Sequence, residues 1–304
     1  MNNIIKKRRN KRRNKRKLRI LFLITIIVCI GISYSLAYRS PYKATKIENT
    51  KSPAKKKLLA DPLPTATIKE HNQINDDGIS SESALVNDGK KTAYLTFDDG
   101  PSVTVTPRVL DVLKRYKVNA TFFLIGNVVD SNEQSKNLVR RTFKEGNAIG
   151  NHTYTHDLKK LYPHNIIDVP HFMTEVDETE NSLRNVLGSN FNTELIRMPG
   201  GTMSRKYYKD PNLNLLFSKF HENSVHAIDW NALSSDAEGG KKNSSQLLNS
   251  LINSIGLQNK VIILMHDTYG KEQTAKALPK IIEYLKAKGY EFKTLKWLKR
   301  YKKN

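Results

Sequence analysis

Residues 92–102 read TAYLTFDDGPS, in which an apolar run ends in two adjacent aspartates followed by turn-forming residues. Its β-branched and aromatic residues predict a strand over residues 92–97. Asp98 and Asp99 then stand where this strand ends, and parallel sheets carry their chemistry at the carboxyl ends of their strands. Two neighbouring carboxylates repel each other unless one binds a cation or a proton. Alone, the pair fits a solvated turn equally well, because Asp-Gly-Pro is common in turns.

The chain beyond this run alternates between short apolar segments and amphipathic segments. The predicted strands are residues 92–97, 120–125, 148–149, 195–197, 225–230, 261–265 and 290–294. The predicted helices are residues 106–116, 135–145, 175–187, 244–255 and 273–287. Such alternation is typical of βα units that share a largely parallel sheet, either open or closed into a barrel.

Three further polar clusters also follow predicted strands. His152 and His156 lie four residues apart, which predicts that both lie on one face of a helical turn and bind one metal. Arg197 leads into a Met-Pro-Gly-Gly loop, and His266 ends an apolar strand. Two histidines and one aspartate leave a coordination position open, as in catalytic zinc sites. With a second aspartate as base and a separate histidine as acid, these are the parts needed to hydrolyse an acyl bond.

Together the clusters resemble the polysaccharide deacetylases of carbohydrate esterase family four, the NodB-homology group. Residues 96–102 match the family's first motif, TFDDGPS, and residues 152–156 fit its H-[ST]-x-x-H motif. Residues 197–201 and 264–267 fit the third and fifth motifs, and the order is the family's over about residues 91–295. The resemblance implies an α/β fold, a distorted (β/α) barrel with about seven strands. It also implies removal of acetyl groups from N-acetylated or O-acetylated sugars.

The resemblance implies a role for each residue of a metal and base centre. Asp99, His152 and His156 would hold a divalent metal, zinc foremost. Asp98 would act as the general base for the attacking water, and Arg197 would orient it through a charge-assisted hydrogen bond. These five residues are the core of the expected site.

The resemblance also implies an acid and a substrate-binding wall. His266 would protonate the departing sugar amine, and a backbone N–H near Gly200 would stabilise the oxyanion. Pro199, Gly200 and Leu264 are the expected substrate-binding residues. Asp267 fits a site residue and a turn residue equally well.

Two features depart from the family pattern. Gly200 stands where the third motif often has an aromatic residue. A contact from its backbone N–H to the oxyanion would remain, but the contact of an aromatic side chain with the substrate would be lost. The fourth motif supplies an aspartate that pairs with the acid histidine, and two candidates compete for it. Asp229 precedes Trp230 as the family's dipeptide requires, but it lies within a predicted strand. Asp236 better matches the spacing from a strand Trp and is preferred, although Ala237 then replaces the pocket Trp.

The N-terminal residues carry half of the net charge. The chain has 51 Lys and Arg against 29 Asp and Glu, a formal charge of +22, and eleven of the basic residues fall within residues 1–19. The uncharged run 20–37 follows, and as a helix it would span roughly 27 Å, close to the thickness of a bilayer's hydrocarbon core. An evenly basic nucleic-acid binder would not divide its charge in this way, so no nucleic-acid partner is expected. The lone Cys29 excludes a disulfide framework within the chain.

These patterns predict four segments. They are a basic cytoplasmic tail over 1–19, a transmembrane signal-anchor over 20–38, a flexible stalk over 39–90 and a deacetylase domain over 91–304. The positive-inside rule then places the catalytic domain outside the cell on a single-pass anchor. The alternative is secretion after cleavage near Ala37, where Ser-Leu-Ala resembles a signal-peptide cleavage site.

The sequence thus predicts metal-dependent removal of N-acetyl groups from cell-wall or surface polysaccharide. Peptidoglycan N-acetylglucosamine is the favoured substrate, because the stalk would hold the domain near the wall. One alternative is an O-acetyl esterase on xylan or a similar polymer. Another is a non-catalytic module whose basic face binds anionic wall polymers.

Overall fold

The computed structural model describes residue 85 and residues 88–295. The predicted tail, membrane anchor and most of the stalk lie outside the described residues. Within that described portion, no helix is long and apolar enough to cross a bilayer. The predicted anchor over 20–38 is therefore neither supported nor contradicted.

The described chain is built around one parallel sheet. Its strands are β1 (Thr92–Gly100), β2 (Thr121–Leu124), β3 (Ala148–Asn151), β4 (Leu195–Ile196), β5 (His226–Ala227), β6 (Ala232–Leu233), β7 (Lys260–His266) and β8 (Glu291–Phe292). Seven of them follow the order β5-β4-β3-β2-β1-β7-β6. β8 pairs with the first two residues of β1, on the edge that β2 joins further along.

Helices connect and cover the strands. They are α1 (Thr106–Tyr116), α2 (Gly126–Asp130), α3 (Glu133–Lys144), α4 (Leu158–Leu161), α5 (Val169–Leu187), α6 (Gly201–Tyr207), α7 (Leu213–Glu222), α8 (Ser244–Ile255) and α9 (Glu272–Ala287). The apolar faces of α1, α8 and α9 pack with β1 and β7 in the largest core cluster. Both central strands are buried almost throughout, which explains why they read as continuous apolar runs.

The connection between β5 and β6 forces the sheet to curl. These strands stand at opposite ends of the seven-strand path, and a flat path of that width would separate them by about 29 Å. Only residues 228–231 join them, and that length of chain reaches at most roughly 17 Å. Ile228 still donates its N–H to Ile196 of β4, and Asn231 donates to Ile262 of β7. The sheet is therefore a curled half-barrel whose open seam is crossed by Asp229 and Trp230.

All seven predicted strands are present, with one correction and one addition. The predicted strand 225–230 is paired only over His226–Ala227, because the chain leaves the ladder there to cross the seam. Asp229 is therefore not inside a strand. β6 was not predicted, since two residues give no readable alternation.

The predicted helices are also present, and the fold adds four. The predicted helix 175–187 begins six residues earlier, where Asp168 caps the N–H of His171 and Pro170 lies in the first turn. The added helices are α2, α4, α6 and α7. α2 and α4 are one turn long, and α6 opens on two glycines, so their helical periodicity is weak.

The interior beneath the site is too close-packed to accept an extra methyl group at β3. A Cβ added to Gly150 would lie 2.5 Å from Phe123 Cδ1, and the Phe123 ring in turn lies against the Arg197 guanidinium. We expect Gly150→Ala to lower the free energy of unfolding by about 1–3 kcal/mol, measured by chemical denaturation. Gly240→Ala is the control, because nothing lies within 4 Å of its added Cβ. Equal stability of the two variants would contradict this packing.

Candidate active site

A β-bulge at the end of β1 directs both aspartates to one site. In the parallel ladders Asp98 pairs with Phe123 and His266, whereas Gly100 pairs with Leu124, so Asp99 is the extra residue. Its φ of 67° is left-handed, which a short polar side chain tolerates. In a regular strand, consecutive side chains would point to opposite faces. The bulge cancels this alternation and allows Asp98 and Asp99 to serve the same centre.

The three predicted metal ligands lie together. The candidate ligand atoms of Asp99, His152 and His156 are all within 4.8 Å of one another. Asp99 Oδ1 lies 3.3 Å from His152 Nε2 and 3.6 Å from His156 Nε2. Ligand atoms of a tetrahedral zinc ion are roughly 3.3–3.6 Å apart, as follows from bond lengths near 2.0–2.2 Å. Because Asp99 Oδ1 is buried without a hydrogen-bond partner, the donor set fits a divalent cation.

A backbone contact sets the tautomer of the first histidine. His152 Nδ1 lies 2.6 Å from the carbonyl oxygen of Arg197. Nδ1 must therefore carry the proton and donate it, which leaves Nε2 with its lone pair facing Asp99. This is the arrangement that metal-binding histidines usually adopt.

The charges of the centre are arranged to favour a cation. Burial alone would raise the pKa of Asp99, but the neighbouring histidines hold it well below its usual range. Burial would lower the pKa of His152, yet Asp99 and Asp98 raise it. The pKa of His156 is lowered, first by burial and then by the charge of His152. The two carboxylates thus draw positive charge into a buried site, and a divalent ion would supply it.

The two histidines do not share a helical turn, and that expectation is wrong. Residues 152–157 form a loop between β3 and α4, in which Thr153 and His156 have φ values of 65° and 56°. These left-handed residues fold the loop back, so that the rings of His152 and His156 approach to 4.7 Å. The four-residue spacing correctly indicated that the two histidines lie together, but a folded loop and not a helical turn brings them there.

Arg197 holds Asp98 from beneath the site. Its Nη1 donates to Asp98 Oδ1 at 2.7 Å, and Nε donates to the carbonyl of Ile228 at 3.0 Å. Its Cζ lies 4.2 Å from the ring centroid of Phe123 and 5.5 Å from that of Trp230, and the residue is completely buried. Asp98 Oδ2 lies 3.8 Å from His152 Nε2, so this second oxygen faces the metal ligands.

His266 is paired with Asp236 rather than Asp229. Its Nδ1 lies 2.8 Å from Asp236 Oδ1, and its backbone N–H donates to Asp236 Oδ2 at 2.8 Å. Burial alone would lower the pKa of His266, but this contact, with the charges of Asp98 and Asp99, raises it to about 9. His266 is therefore protonated at neutral pH, as a general acid requires.

The competing aspartate has a different partner. Asp229 Oδ1 accepts the backbone N–H of Thr202 at 2.9 Å, and Oδ2 accepts the Thr202 hydroxyl. It thereby anchors the first turn of α6, which carries the glycine loop. Trp230 covers the same turn, since a Cβ added to Gly201 would lie 2.9 Å from its ring.

The predicted substrate-binding residues belong to the loop after Arg197 and to strand β7. Gly200 is exposed and caps α6 with a φ of 77°, and the N–H of Gly201 is taken by the Met198 carbonyl. Pro199 is buried, and its carbonyl accepts the hydroxyl of Tyr162 at 3.0 Å. Leu264 lies in β7 opposite Thr96 and is almost fully buried.

Comparison with known proteins agrees with this geometry. A polysaccharide deacetylase family model matches residues 86–213. A peptidoglycan-N-acetylglucosamine deacetylase of Bacillus cereus is 34% identical over 224 residues, covering 71% of this chain and 92% of the relative. The chain belongs to the polysaccharide deacetylase family.

Two further matches show the breadth of this family of hydrolases. A Streptococcus mutans CE4 esterase structure has a TM-score of 0.65 at 34% identity, covering 71% of this chain and 91% of the esterase. A bifunctional xylanase/deacetylase of Pseudobutyrivibrio xylanivorans is 35% identical over 225 residues. That match covers 74% of this chain but only 32% of the relative.

Thr96 and Trp230 contact the site residues but were not predicted as site residues from the sequence. Thr96 accepts from Arg197 Nη1 at 2.7 Å and donates to the Ile263 carbonyl at 2.7 Å, so it helps to fix the arginine that holds Asp98. Trp230, weighed only as part of a motif, stacks on the same guanidinium. Arg197 was the signal in the sequence that could have indicated such partners, because a buried arginine needs several hydrogen-bond acceptors.

Asp267, left undecided by the sequence, is not an exposed turn residue. It is fully buried, and its Oδ2 accepts from Thr106 Oγ1 at 2.5 Å. A Cβ on Gly100 would lie 2.6 Å from its Oδ1, so the carboxyl group packs directly against the bulge. Burial, then the charges of Asp99 and Asp98, raise the pKa of Asp267 to about 7.

The Asp236–His266 pair sets the alkaline limit of activity if His266 is the acid. Activity is then present below the pKa of His266 and lost as the pH rises through it. We expect Asp236→Asn to move the alkaline limb of the kcat/KM profile to lower pH by about one unit or more, because the opposing charge is removed.

Asp229→Asn is the control for this experiment, because both carboxylate oxygens of Asp229 accept from Thr202, whereas His266 Nδ1 is bonded to Asp236. Its alkaline limb should stay in place even if the rate falls. An unmoved limb in Asp236→Asn would show that this pair does not supply the acid.

Proposed function

We propose that this deacetylase hydrolyses N-acetyl groups of cell-wall polysaccharide, with peptidoglycan N-acetylglucosamine as the substrate and a divalent metal, zinc foremost, as the cofactor. The observation that carries the proposal is the arrangement around the ligand cluster. Asp98 and His266 are direct register partners on β1 and β7, and each has its own buried partner. A base and an acid therefore stand on neighbouring strand ends beside one candidate metal site.

The residues divide the reaction between them. Asp99, His152 and His156 would hold the metal, which when bound acts as a Lewis acid on the acetyl carbonyl and on water. Asp98, held at Oδ1 by Arg197, takes the proton of the attacking water at Oδ2. Protonated His266, held by Asp236, gives its proton to the sugar nitrogen as the C–N bond breaks, releasing acetate and a free amine. A backbone N–H at Gly200 supports the developing oxyanion.

The relatives support the choice of substrate. Several curated relatives at 31–35% identity are named peptidoglycan-N-acetylglucosamine deacetylases, from Bacillus cereus and Listeria monocytogenes. The xylanase/deacetylase relative keeps a second candidate open, namely O-deacetylation of xylan or a similar polymer. A purely wall-binding module is disfavoured, because a binder has no need for paired base and acid beside a metal site.

The activity test measures acetate release. We expect the full chain, in detergent with added zinc, to release acetate from peptidoglycan faster than from acetylated xylan, and to lose activity with a chelator. Asp98→Asn should lower the rate at least ~10²-fold, because the general base is removed. Asp111→Asn is the matched control, since it changes an exposed aspartate of α1 that is paired with Arg141 on α3.

Three outcomes decide this proposal. Undiminished acetate release in Asp98→Asn would overturn the mechanism. Faster release from xylan would move the assignment to the second candidate. Glycan binding without acetate release from any substrate would favour the wall-binding module.

We further propose that the protein is anchored in the cell membrane with its catalytic domain outside. The support is the sequence of residues 1–38, and a coil of 52 residues as the stalk would span about 40 Å on average. We expect protease added to intact cells to remove the catalytic domain while a membrane-bound N-terminal fragment stays protected. A protected domain, or one released into the medium with cleavage near Ala37, would contradict the anchor.

A further inference from the structure

The loop that carries both histidines is held in a costly conformation. Thr153 is β-branched, completely buried and at a φ of 65°, a combination that is a genuine outlier. His156 also has a left-handed φ. Such residues persist only where the surroundings over-determine them. The contacts of residues 152–157 should therefore show what holds the metal ligands in place.

Helix α5 supplies those contacts from two consecutive residues. Glu175 Oε2 accepts the backbone N–H of Thr155 at 2.9 Å, and Oε1 accepts the Thr155 hydroxyl at 2.6 Å. The Val176 carbonyl accepts Asn151 Nδ2 at 2.9 Å, and Asn151 Oδ1 accepts the N–H of Thr153. The loop is thus tied to α5 immediately before His156.

Glu175 places a carboxylate in the protein interior, where burial alone is unfavourable. It is fully buried, and its nearest cationic candidate is His171, whose Nε2 lies 3.2 Å from Oε1. A buried carboxylate is costly unless its oxygens are occupied by donors. Both carboxylate oxygens of Glu175 accept hydrogen bonds from one residue, Thr155, which directly precedes the candidate metal ligand His156.

We propose that Glu175 is a positioning residue for the metal site, which fixes His156 against Asp99 and His152 by gripping both donors of Thr155. The inference rests on the proposed metal-dependent function. Glu175 itself touches neither the candidate ligand atoms nor the substrate-binding residues; it acts through the loop. Its effect is therefore on metal affinity, and a loss of metal affinity separates this role from a contribution to folding alone.

The same helix provides a matched control. Glu180 lies five residues along α5, is nearly buried, and also accepts a backbone N–H from a loop, that of Thr193 at 3.2 Å. Thr193 precedes β4, and its hydrogen bonds with Glu180, Ile149 and Leu195 lie outside residues 152–157. Glu175→Gln and Glu180→Gln thus make the same chemical change on one helix, at sites with and without a link to His156.

The experiment measures zinc affinity of the full chain by competition with a chromophoric chelator, together with thermal stability in excess chelator. We expect Glu175→Gln to weaken zinc binding about 10–100-fold, because an NH2 group replaces one of the two acceptor oxygens that face Thr155 and the negative charge is lost. Glu180→Gln should change zinc affinity less than about twofold, although both variants lose stability. Equal zinc affinities of the two folded variants would overturn the proposal.

A second variant covers the case in which Glu175→Gln does not fold. Thr155→Val removes the hydroxyl, which donates to Glu175 and accepts the backbone N–H of Asp157, and it keeps the backbone bond to Glu175. It should therefore weaken zinc binding by a smaller factor that is still measurable. Unchanged zinc affinity in Thr155→Val would then count against the proposal. Because zinc affinity is measured without substrate, a protein that behaves as expected here but releases no acetate would contradict the proposed function alone.

Discussion

The buried guanidinium of Arg197 is the interaction on which the rest of the site depends. It joins three parts of the half-barrel: β4, from which it comes, β1, where it bonds Thr96 and Asp98, and the seam residues 228–229. Its own carbonyl fixes the tautomer of His152. One residue therefore holds the proposed base, orients a candidate metal ligand and ties both to the segment that crosses the seam. A buried cation with this many acceptors tolerates little displacement, which makes the site rigid.

Asp98 and His266 belong to two separate hydrogen-bonded pairs, and this separation determines the electrostatics of the site. Asp98 and His266 are neighbours across β1 and β7, yet each is bound by a different buried partner. The charge of Asp236 raises the pKa of His266, while Arg197 keeps Asp98 as an acceptor aimed at the ligand cluster. The proposed hydrolysis needs a base and an acid at the same pH, and the pairs centred on the neighbouring residues Asp98 and His266 would provide both. Asp267, buried against Gly100, supports the bulge between them.

Sequence reasoning succeeded where local pattern and position along the chain were sufficient. The strand ends at Asp98, Arg197 and His266 were readable because apolar runs stop there. It was less successful where pairing is non-local. β5 is shorter than its apolar pattern because the chain must leave β4 to reach β7, and α6 was missed because its glycines weaken helical periodicity. The helical turn expected for His152 and His156 is wrong because left-handed residues replace it.

The sequence by itself determined the chemical groups, their order and the strand ends that carry them, since these depend on residue type and local periodicity. The choice between Asp236 and Asp229 was decided only by tertiary structure, because it depends on which side chain reaches His266 across the half-barrel. The same holds for the bulge that brings Asp98 and Asp99 to one face, and for the grip of Glu175 on Thr155. These arrangements place left-handed or charged residues in buried positions, where local propensity opposes them. Contacts from distant parts of the chain overcome that opposition.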